Sequence, residues 1–171
     1  MLEAMEAMPT ITPLLVVRGA ERACEFYVNA LGATETLRYL NKLSGTISHA
    51  DFAIGNSAFS VTEELRAFNS DAPPSLGGSP VVLQLRVDDA ATSLERVCEA
   101  GATIVFPLQE FCGERMARVR DPFGHLWILV ERIENLTVDE IQKRRDAALL
   151  NFAAATGSEV DGLSRPKTRP K

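Results

Sequence analysis

The chain has 171 residues, of which 46% are hydrophobic and 24% charged, with a formal net charge of -5. That is enough apolar material for a core without disulfide or metal staples, and the acidic balance excludes a general nucleic-acid binder, which needs a clustered basic surface. Cys24, Cys98 and Cys112 are odd in number and widely spaced, and the two histidines fit no zinc-finger pattern.

The amino-terminal extension, residues 1–9, holds two glutamates and no basic stretch, so it does not read as a secretory signal. No apolar run nears the ~18 residues of a membrane span, and the cytoplasm is the default compartment. A first module is expected over residues 10–66. Its opening strand ends at Val17, and a helix runs from Ala20 to Leu31 with Ala23, Phe26, Tyr27 and Ala30 on one face. Gly32 ends it, as glycine adopts the left-handed turn at a helix end cheaply. Strands follow at Thr34–Leu40, Ile47–Ile54 and Ala58–Glu63. Residues 67–80, rich in Pro, Gly and Ser, form a linker.

A second module is expected over residues 81–135, with a strand ending at Val87 and a helix from Ala90 to Ala100 that puts Ala90, Leu94, Val97 and Cys98 on one face. Strands at Thr103–Phe106, Arg115–Arg120 and Leu126–Glu131 complete it. Val17 and Val87 lie 70 residues apart, while Gly32 and Gly101, and Gly55 and Gly124, lie 69 apart. Landmarks at near-constant offset mark an internal duplication. The predicted class is therefore α+β: two tandem βαβββ modules forming a curled mixed sheet with a concave cavity, plus a carboxy-terminal helix. That helix, within residues 136–156, opens on Thr137 with Glu140 three residues on, a capping box, and docks through Ile141, Ala148 and Leu149. The tail, residues 157–171, lacks apolar periodicity and is expected to be disordered.

Alternation along a strand sends neighbours to opposite faces. Ala50, Phe52, Leu83, Leu85, Ala117 and Val119 then belong to the core, and His49, Asp51, Ser60, Gln84, Arg86 and Arg118 to the other face. A polar sheet face is ordinarily just solvated, but two such sheets joined edge to edge make a trough with convergent polar groups, the form of a small-molecule site. Arg86 and Arg118 either hold an anionic or carbonyl-bearing ligand or pair with Asp51 and Glu114. His49 beside Asp51 is the candidate general base. Cys112, in the loop EFCGERM, is a candidate thiol contact at the cavity mouth, whereas Cys24 and Cys98 read as helix core residues and His125 as a hydrogen-bonded turn residue.

The run from Leu15 to Ala33, with its Phe26–Tyr27 pair and Leu31–Gly32–Ala33, together with DPFGH-x-W at Asp121–Trp127, resembles the vicinal oxygen chelate superfamily of glyoxalases, fosfomycin-resistance enzymes, bleomycin-binding proteins and extradiol dioxygenases. The linker phrase LGGSPV and DPFGH are similar to its PhnB-like branch. The resemblance implies a homodimer and, in the enzymes of the group, a divalent metal held at four places, which fall here at Thr12, Ser60, Val82 and Ile128. None is a histidine or carboxylate, so no metal cofactor is expected; a relocated site that uses His49 and Asp51 is the alternative. The favoured function is binding of a small organic molecule, as in sequestration or resistance. The other reading is a glyoxalase-like isomerase, lyase or transferase, with that relocated metal or with His49 as a metal-free base. Neither nucleic acid nor membrane is an expected partner.

Overall fold

A computed structural model describes residues 9–156, with side chains to Asn151; the first eight residues and the expected disordered tail lie outside the described residues. The first module is β1 (Leu14–Val17), α1 (Ala20–Asn29), β2 (Thr34–Leu40), β3 (Ile47–Ile54) and β4 (Ser57–Glu63). A short helix, α2 (Pro73–Leu76), lies in the linker. The second module is β5 (Val82–Arg86), α3 (Ala90–Glu99), β6 (Thr103–Phe111), β7 (Glu114–Arg120) and β8 (Leu126–Arg132), and α4 (Val138–Thr156) ends the described chain. The sheets have matching orders, β1-β4-β3-β2 and β5-β8-β7-β6. In each, the first strand runs parallel to the last and the rest pair antiparallel. The expected α+β pair of βαβββ modules is what forms.

The last three strands of the second module run longer than expected. β6 continues past Pro107 because it is an edge strand, and the register shift between Phe106 and Gln109 leaves the proline without a ladder partner to serve. Each module also anchors its helix from its last strand. Glu63 accepts hydrogen bonds from the amides of Gly19 and Ala20 at 2.8 and 2.7 Å, and Glu131 accepts from Ala90 at 3.0 Å. Helix starts carry unsatisfied N–H groups and a positive dipole end, so a carboxylate answers both. Glu131 thus sits on the helix side of β8, as its parity with Trp127 and Leu129 requires.

The helix-side residues of both sheets enter one core. Leu15, Val17, Phe52, Phe59 and Val61 of the first module join Val119, Trp127 and Leu129 of the second, with Tyr27 of α1 fully buried among them. Tyr27 packs against Phe59, Phe123 and Trp127, with ring centroids at 5.3, 6.1 and 6.0 Å. The DPFGH turn clamps the halves together. Asp121, 3% exposed, accepts from the Tyr27 hydroxyl at 2.9 Å and Trp127 Nε1 at 3.0 Å with one oxygen, and from the amides of Phe123 and His125 with the other. His125 Nε2–H donates to the Val16 carbonyl at 3.0 Å, which makes it the hydrogen-bonded turn residue expected. Arg96 of α3 donates to the Ala30 carbonyl at the end of α1, 2.7 Å away.

The helix sides of both sheets contribute to this shared core, and the expected single curled sheet forms as two four-stranded sheets. β1 and β5 are each bonded on one side only, and Ile11, Leu14 and Val81 beside these edges are exposed.

The linker is ordered rather than loose. Glu64 accepts from Arg18 Nε at 2.8 Å, from the Ala72 amide at 3.0 Å and from the Ser75 hydroxyl, which pins α2 to the end of β4. In α4 the capping box forms, with the Thr137 amide donating to Glu140 at 2.8 Å. Ile141 and Ala148 are half-buried, but Leu149 is 49% exposed. The expected docking face is thus only partly covered, because the helix is held chiefly at its start, where Arg144 grips Glu134 and Arg145 lies over the Phe111 ring. No described helix is long and apolar enough to cross a membrane.

Candidate functional site

On the polar side of the first sheet, β3 and β4 bring three expected residues together. His49 Nε2–H donates to Asp51 Oδ1 at 2.8 Å, and the Ser60 hydroxyl donates to the same oxygen at 2.6 Å. Residues two apart on a strand share a face, and the Asp51–Ser60 register brings the hydroxyl alongside. With Nε2 engaged, the free lone pair of neutral His49 is on Nδ1. The Ser60 proton goes to the carboxylate and not to the imidazole, so the trio is a carboxylate-oriented histidine and not a serine nucleophile relay. Tyr39, paired with His49 in register, sets its ring 6.3 Å from the imidazole. The side chain of His49 is 36% exposed and that of Asp51 15%.

The polar side of the second sheet carries Gln84, Arg86 and Arg118, all exposed. Gln84 on β5 stands in register with Ile128 on β8, and Ile128 with Arg118 on β7. The neighbouring rows place Arg86 beside Val130 and Met116, and Leu126 beside Arg120. An apolar stripe along β8 is therefore flanked by Gln84 and Arg86 on one side and by Arg118 and Arg120 on the other. Among the described residues none of these arginines forms an ion pair. The expected alternative partner Asp51 is taken by His49 and Ser60 on the other sheet.

A cleft of about 680 Å³ opens along the free edge of β5, facing the β3–β4 turn; Leu83, Leu85 and Trp127 form its apolar wall, and Gln84 and Arg86 reach its rim. The seven expected site residues therefore divide: His49, Asp51 and Ser60 cluster on one module, Gln84, Arg86 and Arg118 share a face of the other, and Cys112 belongs to neither. It occupies the β6–β7 turn with φ +51°, beside a small cavity of about 130 Å³ under α4 lined by Phe111, Leu136 and Ile141. Its expected place at the mouth of a shared cavity gives way to this one because β6 and β7 both outrun their predicted ends and carry the turn to α4.

The four places where the enzymes of this fold hold a metal do not fit one. Thr12 precedes β1 and donates its hydroxyl to the Pro9 carbonyl at 3.4 Å, Ser60 is committed to Asp51, and Val82 and Ile128 are hydrocarbons. A divalent ion needs imidazole, thiolate or carboxylate donors, with three or more commonly from protein. Elsewhere, no three His, Cys, Asp or Glu side chains converge to hold one among the described residues.

Sequence reasoning left two participants out of the site. Arg120 shares the parity of Arg118, and that alone was sufficient signal. Tyr39 required the β2–β3 register, whose irregularity next to it no sequence pattern discloses.

Comparison with known proteins agrees with the fold. Residues 9–129 match the model of the Glyoxalase/Bleomycin resistance protein/Dioxygenase superfamily. The uncharacterized protein Mb0911c of Mycobacterium bovis is 36% identical over 163 residues, covering 93% of this chain and 99% of its own. The crystal structure of TioX from Micromonospora sp. ML1 is similar at 28% identity and a TM-score of 0.56, over 72% of this chain and 98% of that one. The fosfomycin resistance protein FosX from Listeria monocytogenes, solved with Mn(II) and sulfate, matches in fold at 17% identity and a TM-score of 0.58, over 80% and 97%. The chain belongs to the Glyoxalase/Bleomycin resistance protein/Dioxygenase superfamily.

Proposed function

We propose that this protein binds a small organic molecule without the metal centre of its enzymatic relatives, sequestering or carrying it as a homodimer in the cytoplasm. The observation that carries the reading is the set of side chains at Thr12, Ser60, Val82 and Ile128: two hydroxyls already committed and two hydrocarbons, where metal ligands would stand. The cleft along β5 supports it, since about 680 Å³ lies within the ~300–1,000 Å³ of small-molecule sites. Dimerisation is supported by the free edges of β1 and β5 and the exposed apolar residues beside them, because an uncovered edge strand seeks a partner.

Elemental analysis of the purified protein, with a thermal-shift screen of divalent ions, tests this. The expected result is no stoichiometric metal and no stabilisation by Mn, Zn, Ni or Fe. A stoichiometric metal lost on His49→Ala overturns it. Native mass spectrometry is expected to find a small organic molecule carried through purification.

One observation favours a second reading, a metal-free enzyme. His49 and Asp51 meet at 2.8 Å, which orients the imidazole and leaves Nδ1 as the available base. Turnover of a ligand with a rate that falls on His49→Gln, but whose binding does not, selects this reading.

A further inference from the structure

The polar face of the second sheet is a cationic surface on an acidic protein. Arg86, Arg118 and Arg120 project from it. Like Arg22, Arg96, Arg132 and Arg145, they have no ion-pair partners among the described residues, whereas Arg18, Arg38, Arg66, Arg115 and Arg144 are paired. The carboxylate in register with this face is Glu114, at its far end opposite Arg132. Between the arginines run Leu126 and Ile128 of β8, both half-buried. β5 and β7 flank β8, so the two polar margins stand roughly 10 Å apart across the apolar stripe, twice the spacing of neighbouring strands.

We infer that this face binds an amphipathic organic anion, with a carboxylate, sulfonate or phosphate head held by the guanidinium groups of Arg118 and Arg120 and an apolar body laid over Leu126 and Ile128 toward Gln84 and Arg86. The inference rests on the small-molecule reading above and names the ligand's chemical class. A guanidinium binds such oxyanions through two parallel N–H donors, and long-stemmed arginines keep those heads over an apolar floor. Repulsion among uncompensated arginines also weakens when an anion arrives, so charge favours the bound state twice over. A small molecule fits better than a polyanion, because the net charge of the chain is -5 and this face offers only a short run of unpaired arginines.

The test uses two fluorescent probes that differ by one group: 8-anilinonaphthalene-1-sulfonate and its uncharged parent, N-phenyl-1-naphthylamine. The full chain is expected to bind the sulfonate saturably and at least about tenfold more tightly than the parent, a preference that shrinks as salt rises. Arg118→Gln with Arg120→Gln is expected to remove that preference while parent binding holds; Arg22→Gln, on the outer face of α1, leaves it intact. Should the double variant unfold, the single variants Arg118→Gln and Arg120→Gln carry the same expectation, each reducing the preference. Equal affinity for both probes overturns the anion assignment but leaves the small-molecule reading standing. Saturable binding of neither probe removes support from both. Loss of dimer in the arginine variants with unchanged probe preference identifies a second copy of the chain as the occupant and overturns the inference.

Discussion

The hydroxyl of Tyr27, on the first helix, donates to the carboxylate of Asp121, on the turn between the last two strands, at 2.9 Å, and this single bond spans 94 residues of sequence. Burial and the neighbouring Asp121 charge together hold the Tyr27 phenol well above its usual pKa, so it remains a donor throughout the accessible pH range. Asp121→Asn replaces one accepting oxygen by an NH2 group that confronts existing donors. The expected cost is about 3 kcal/mol, measured by urea unfolding, because buried donors lose their acceptor. Tyr27→Phe removes one bond and leaves three to Asp121, so about 1 kcal/mol is expected. If the two substitutions cost the same, the carboxylate is not the hub.

Acid acts on the linker. Three hydrogen bonds, from Ser75, the Ala72 amide and Arg18, lower the Glu64 pKa from 4.5 to about 2. A depressed carboxylate contributes stability above its unfolded pKa and loses it as the pH falls through the folded value. Glu64→Gln is therefore expected to be less stable than the parent at pH 7, and thermal unfolding should show the gap closing between about pH 4.5 and about pH 2. A gap independent of pH would assign the effect to packing.

Thiol reactivity should follow burial. Cys24 is 1% exposed, and burial pushes its pKa up to about 11, whereas Cys98 and Cys112 are half-buried. Since the thiolate is the reactive form, native protein treated with a disulfide reagent is expected to label Cys112 and Cys98 well before Cys24. Peptide mapping of the modified protein reads the order directly. Early labelling of Cys24 would mean that α1 opens far more readily than its packing suggests.

Gly124 has φ +95°, and a Cβ there would meet the Pro73 ring at 2.9 Å. Neither the turn nor a proline ring yields easily, so Gly124→Ala is expected to cost about 2 kcal/mol from backbone strain and overlap together. Chemical denaturation measures it, and Gly55→Ala, which has open space at φ +57°, separates strain from overlap.

Much of this fold was legible because duplication writes it twice. The landmarks near Val17 and Val87 and the strand parities placed Leu83, Leu85, Ala117 and Val119 inward and His49, Asp51 and Arg118 outward without any knowledge of contacts. What the sequence withheld were relations between elements. Parity fixes which face His49 occupies, not the 2.8 Å to Asp51, which depends on rotamers. Nor does it say that Tyr27, Phe59 and Trp127 draw both helix sides into one core. Cys112 was misplaced for a third reason: a proline inside an edge strand reads as a break, yet β6 runs on through Pro107.

The glutamates that anchor the two helices have a bearing on how such a protein changes over generations. Glu63 and Glu131 alternate along their strands with Thr62 and with Ile128, so each last strand divides its residues between holding the helix and lining the opposite face of its sheet. Replacements on that opposite face leave the anchors untouched. A lineage can therefore discard a metal ligand or acquire an arginine there with little penalty to folding, and the chemistry of the face drifts while the architecture stays put.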